Sequence, residues 1–222
     1  MLNLRQKWHV GSTPIPSAMK IYFVRHGSTN SLEKNISQSA EEPLSQKGVE
    51  EARQLTKRFK SVKIDLVISS SYTRAIQTAK FISKKIKTSN LFVETRKPSE
   101  VVGKSKEDKK VQAILKKVEE MFSVDTNWRF SDEENFQDLK IRAIKAINYL
   151  QKLNRDNVVV VSHGNFLCFL IGLMLLRDSF SPQIFLKLKN IIKLYRTGVS
   201  IVTYDGNQWK LECWNDTSHC LE

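Results

Sequence analysis

Apolar positions along this chain follow two rhythms that take turns. Met19 and Lys20 lead into Ile21-Tyr22-Phe23-Val24, a run of strand length, and Val158 to Val161 is an unbroken β-branched run of the kind a central strand needs when both its faces are covered. Between them, Ser45 can cap a helix whose apolar positions Val49, Ala52, Leu55 and Phe59 recur near helical spacing. Asp65-Leu66-Val67-Ile68-Ser69 reads as a second strand, Ala75, Ile76, Ala79, Ile82 and Ile86 as the next helix, and Leu91-Phe92-Val93-Glu94 as a third short strand. Two further helical stripes, Val111, Ile114, Leu115, Val118, Phe122 and then Phe136, Leu139, Ala143, Ile147, Leu150, predict core-facing helices. Phe166 to Leu176 reads as a buried helix, and Val199 to Tyr204 with Gln208 to Trp214, joined by Asp205-Gly206-Asn207, as a hairpin.

Strands separated by helices, with no Pro/Gly/Ser-rich break after residue 20, predict one α/β domain over 19–222. The expected architecture is a three-layer sandwich: a mostly parallel central sheet, helices on both faces, a helical cap insertion at about 95–153 and a C-terminal β-hairpin. Residues 1–18 carry Arg5 and Lys7, no acid, and Pro14 and Pro16, and lack the continuous apolar stretch of a secretion signal; they read as an N-terminal extension.

Composition narrows the class. A chain of 222 residues with 41% hydrophobic content can bury a sizeable core. The 36 Lys and Arg against 23 Asp and Glu leave a net charge of +13. Twelve of the basic residues fall between Arg53 and Lys97, against only Asp65 and Glu94, so the partner is expected to be anionic: a phosphorylated metabolite, nucleic acid or a membrane surface. No aromatic and basic residues interleave on a predicted β platform, which argues against nucleic acid. The longest apolar run is about half of what crosses a bilayer, so no membrane partner is expected. Cys168, Cys213 and Cys220 have no metal-ligand spacing, which predicts free thiols and a cytoplasmic protein.

Open α/β sheets bind ligands beyond the carboxyl ends of their strands, and that rule selects the candidates. Arg25, His26 and Gly27 follow the first strand; Ser69 to Ser71 and Arg74 follow the second; Glu94 follows the third; His163 and Gly164 follow the fourth. Any one of these could be a satisfied core histidine or a structural ion pair. Four strand ends that all present reactive polar groups point instead to one catalytic rim, because a purely structural role favours apolar residues there.

These segments, Arg25-His26-Gly27, Pro43-Leu44-Ser45 with Gly48, Ser69 to Ala79, and Ser162-His163-Gly164, resemble the histidine phosphatase superfamily in its phosphoglycerate mutase-like branch. The resemblance spans Lys20 to the tail. It implies a phosphatase for phosphate monoesters, acting on a small phosphorylated substrate without metal or cofactor. His26 would attack phosphorus and form a phosphohistidine, while Arg25, Arg74 and His163 hold the non-bridging oxygens. A carboxylic acid near the third strand end would protonate the leaving group; Glu94 fits that place and Glu100 is the alternative. Gly27, Ser28, Asn30 and Gly164 are the expected substrate contacts, with Leu32 standing where relatives commonly carry asparagine. Mutase-type phosphoryl transfer is the second reading; a nucleic-acid-binding module and a catalytically silent scaffold are the others.

Overall fold

The computed structural model describes residues 18–220. The extension expected over 1–18 therefore lies outside the described residues except for Ala18. Six strands form one sheet: β1 (Met19–Arg25), β2 (Leu66–Ser70), β3 (Lys87–Ser89), β4 (Asn157–Ser162), β5 (Val199–Tyr204) and β6 (Trp209–Asp216), in the order β3-β2-β4-β1-β5-β6. The first four run parallel, and β5 and β6 add an antiparallel pair beside β1.

The unbroken apolar runs of β1 and β4 have a physical reason. Ile21 and Phe23 of β1, with Val158 and Val160 of β4, enter one core; Tyr22, Val24, Val159 and Val161 enter another on the opposite face. On the second face lie α2 (Gln46–Phe59) and α3 (Thr73–Ala79), which bury Ala52, Leu55, Phe59, Ala75 and Ala79. On the first face α5 (Phe136–Gln151), α6 (Gly164–Leu176) and α7 (Pro182–Ile191) pack together. Three layers result, as the pattern predicts. Ser45 caps α2, its Oγ accepting from Gly48 N at 3.1 Å.

Three expectations change. The third strand is Lys87–Ser89, and Leu91-Phe92 lies instead in a 3-10 turn, Asn90–Phe92, capped by Ser89 Oγ accepting from Leu91 N. An edge strand is open on one side and tolerates polar residues, whereas Phe92 reaches the core from the turn. The helix expected to run to Ile86 stops at Ala79, although Ile82 and Ile86 still pack against the same core.

The third change concerns α4 (Lys109–Val124), whose stripe predicts core burial but whose only fully buried residue is Val111. Leu115, Val118 and Phe122 are half-buried and line a cavity. Of the stretch 95–153, α5 packs its stripe into the sheet-facing core, whereas α4 contacts α7 and the 3-10 turn Ser99–Val101. The chain reading lacked α7, which Ser181 caps with Pro182 at its first position, a recognisable start signal. Among the described residues no helix is long and apolar enough to cross a membrane, and the three cysteines are free thiols.

Candidate active site

Register brings the strand ends together. Arg25 of β1 pairs with Ser162 of β4, Ser69 of β2 pairs with Val161, and His26 N donates to Ser162 O at 3.0 Å. The loop leaving β1 is pressed against the start of α2. A Cβ on Gly48 would stand 2.0 Å from Ser28 O, and one on Gly27 would stand 2.6 Å from Gly48 O. Both positions therefore need glycine for close backbone approach, and Gly27 N is held by Thr78 Oγ1 at 3.2 Å.

His26 is buried, with 1% of its surface exposed. Its Nδ1 meets Gly27 O at 2.7 Å, and its Nε2 receives Arg74 Nε–H at 3.2 Å. The two partners assign a single tautomer: Nδ1–H donates to the carbonyl and Nε2 carries the lone pair. Arg74 is fixed further by Nη1 donating to Ser39 O at 2.6 Å and by its guanidinium lying 5.0 Å from the Tyr72 ring centre. His163 lies beside His26, ring centroids 5.0 Å apart, with Nε2 on Ser70 Oγ at 2.8 Å and Nδ1 buried without a hydrogen-bond partner.

Both imidazoles are held neutral. Burial pushes the His26 pKa well below the usual imidazole value, and Arg74 and Arg25 push it further against a weaker opposing pull from Gly27 O. For His163, burial again leads, followed by His26 and Arg74. Burial also lowers the pKa values of Arg25 and Arg74, which the Glu94 carboxylate opposes in each case.

Glu94 sits at the amino end of α6. Its Oε1 accepts from Phe166 N and Thr95 N, each at 2.9 Å, and Oε2 from Asn165 N at 3.3 Å, so it caps a helix whose N-cap residue, His163, offers no side-chain bond. Glu94 lines the cleft; Glu100 is exposed on Ser131 Oγ at 2.7 Å, away from it. Gly164 lines the cleft as well, and a Cβ there would come within 3.2 Å of Arg25 Nε. Ser28 is committed elsewhere, its N and Oγ donating to Glu51 at 2.7 and 2.8 Å. Asn30 is exposed at the start of the single turn α1 (Asn30–Glu33), and neither residue borders the cleft.

The cleft measures about 640 Å³ and carries eight cationic side chains against two carboxylates. Lys97, Lys106, Lys189 and Arg196 are among them; Lys97 ends the basic segment, and the other three lie on loops and on α7 with no motif to mark them as site residues. The backbone beside Arg196 is tied to the end of β1. Thr197 N donates to Arg25 O at 3.0 Å, Arg25 N to Gly198 O at 3.2 Å, and Thr197 adopts a positive φ of 55°. His26 and His163 lie behind this lining, and Arg74 separates His26 Nε2 from the cleft. The arrangement offers a neutral nitrogen nucleophile, two guanidiniums that can grip anionic oxygens, and a nearby carboxyl group: the parts of a phosphoryl-transfer site.

Known proteins share this sequence pattern and fold. The family model for the histidine phosphatase superfamily (branch 1) matches residues 21–217. A curated relative, "Probable phosphoglycerate mutase GpmB" of Enterobacter sp. (strain 638), is 26% identical over 212 residues, covering 90% of this chain and 94% of that protein. Among solved structures, the alpha-ribazole phosphatase from Shigella flexneri superposes with a TM-score of 0.75 at 20% identity, covering 89% of this chain and 96% of that one. Phosphoserine phosphatase from Entamoeba histolytica, solved with phosphoserine, gives 0.72 at 22% identity, over 91% and 100%.

Proposed function

The chain belongs to the histidine phosphatase superfamily, branch 1, and from that membership we propose that it hydrolyses phosphate monoesters through a phosphohistidine on His26, without a metal. The observation that carries the reading is the tautomer: Nδ1–H donates to Gly27 O, so the lone pair needed for attack is on Nε2. Arriving phosphate oxygens draw the Arg74 guanidinium off Nε2 and onto themselves, exposing that lone pair. Glu94, a carboxylate in the free enzyme, takes up the proton of an incoming phosphate monoanion; Nε2 then attacks phosphorus, the bond to the ester oxygen breaks, and the departing oxygen takes that proton from Glu94. In the second half a water oxygen attacks phosphorus, Glu94 takes the proton that water gives up, and the P–N bond breaks with its electron pair returning to His26 Nε2. Arg25, Arg74 and His163, through its unpartnered Nδ1, carry the charge on the non-bridging oxygens.

Hydrolysis of 4-nitrophenyl phosphate is expected to continue in excess chelator. His26→Ala is expected to lose both turnover and the acid-labile phosphoenzyme trapped by rapid quenching. Activity lost to chelator and restored by a divalent ion, or a phosphoenzyme that persists in the variant, overturns the mechanism.

The name of the curated relatives favours a second reading, in which the phosphoryl group passes from His26 back to another hydroxyl of a phosphoglycerate. Interconversion of phosphoglycerate isomers faster than release of inorganic phosphate would select it.

A further inference from the structure

Lys97 and Lys106 have an unusual setting. Both are half-buried in the cleft wall, and among the described residues neither side chain meets a carboxylate within ion-pair distance. Burial lowers the Lys97 pKa and Lys106 lowers it further; burial lowers that of Lys106, followed by Arg25. Glu94 opposes these effects at Lys97 only from beyond ion-pair distance, and two partly dehydrated ammonium groups with no carboxylate in contact are costly to hold unless an anion joins them. The third lysine there, Lys189, is already paired with Glu119 at 3.3 Å.

The space behind these lysines is different in character. A second cavity of about 260 Å³ shares Lys97, Lys106 and Lys189 with the cleft and takes its apolar wall from Leu115, Val118 and Phe122 of α4 and from Phe185 and Leu186 of α7. Glu119, Glu133 and Glu134 also border it, each already engaged: Glu119 by Lys189, Glu133 by the N–H groups of Phe130 and Ser131, and Glu134 by Arg142. The half-buried stripe of α4 therefore faces a hollow that adjoins the cleft across shared lining residues. Cleft and hollow together match the size of sites that enclose larger organic ligands, the cleft being strongly cationic and the hollow mainly apolar.

We propose that the substrate is a phosphate monoester of a larger alcohol, with a second anionic group near the ester and an apolar portion beyond it. The phosphate sits on Arg25 and Arg74, the second anion between Lys97 and Lys106, and the apolar portion between α4 and α7. The inference rests on the phosphatase reading above and names the class of substrate for the same site. It also gives α4 its role: the helix supplies an apolar wall to the substrate instead of to the core.

A series of alkyl phosphates from three to eight carbons tests it, each prepared plain, with a carboxylate on the carbon next to the ester, and with a second phosphate there. In the wild-type enzyme the second anion is expected to raise kcat/KM at least tenfold, the usual gain of a hydrogen bond to a charged group. Each added methylene is expected to raise it roughly threefold until the hollow is filled. The double substitution Lys97→Gln, Lys106→Gln should bring the ratio between anionic and plain substrates down to about twofold. No gain from a second anion, or an undiminished ratio in the double variant, overturns the anion subsite. No gain from chain length overturns the apolar one.

Calorimetric binding of the same compounds to His26→Ala separates this inference from the reaction. Gains in affinity without any hydrolysis by wild type would sink the phosphatase reading and leave the subsites standing. Hydrolysis of every compound at one rate, with flat affinities, would do the opposite.

Discussion

His26 and His163 are buried side by side, and neither accepts a proton readily while folded. In the unfolded chain both titrate near 6.5. Above that pH they are neutral in both states and add no pH dependence. As pH falls below it, the unfolded chain binds protons that the folded chain refuses, so stability falls with pH by about 1.4 kcal/mol per unit for each histidine. Denaturant midpoints measured between pH 7 and 5 should show this slope, and His163→Asn should flatten it by about one proton. An unchanged slope in that variant would mean that His163 is protonated in the native state. Glu94 is separable from Glu100 by leaving group. Glu94→Gln should slow an alkyl phosphate by roughly 10²-fold or more while sparing 4-nitrophenyl phosphate, and Glu100→Gln should do neither. Because Glu94 also caps α6, its variant should lose about 1 kcal/mol of stability by thermal melt. Arg25, His26, Arg74, His163 and Gly164 were legible in the chain because each follows an apolar strand or stands in a motif, whereas Glu94 was singled out as the end of a strand that proves to be a 3-10 turn, and it still reaches the cleft. Ser28 and Asn30 were read as contacts in place of the asparagine that the family resemblance puts at Leu32, and a half-buried carboxylate, Glu51, has claimed the first of them.

At the scale of elements, the join between the loop after β1 and the first turn of α2 has no room to adapt. Gly48→Ala drives a methyl into a backbone carbonyl instead of a flexible side chain, so the loop carrying His26 must shift. Loss of about 2 kcal/mol, roughly 6 °C in Tm for a chain of this length, is expected together with a fall in kcat. Gly103→Ala serves as contrast, since no atom crowds a Cβ there and its φ of 75° costs only local strain. An equal loss of activity in both would refute the contact argument. The central elements were legible because β1 and β4 are covered on both faces and their residues must be apolar. β3 was not, since a polar edge strand leaves no apolar trace and the neighbouring Leu91-Phe92 imitates one. The α4 stripe was legible as amphipathic, but periodicity reports only that a face is apolar, and here that face meets a cavity.

Over the whole molecule the net charge of +13 is gathered partly at one mouth, though not by the basic segment alone. Arg74, Arg96 and Lys97 reach the cleft from that segment, while Arg53 and Arg58 pair with Glu50 and Asp216 elsewhere, and the remaining cations of the mouth come from β1, α7 and the loops. Raising salt from low to physiological ionic strength should chiefly raise KM for a dianionic substrate by screening its approach, with kcat little changed. A fall in kcat at constant KM would place the charge effect in the chemical step instead.

The same ring of cations makes the mouth a small anion exchanger. Polyphosphate, heparin or nucleic-acid fragments need no fit to lie across it, and each would act as a competitive inhibitor that salt displaces. Rates measured in phosphate or sulfate buffer should therefore fall below those in a zwitterionic buffer of equal ionic strength. A preparation still carrying nucleic acid should gain activity after nuclease treatment or a high-salt wash, so the purification history of a sample becomes part of its apparent KM.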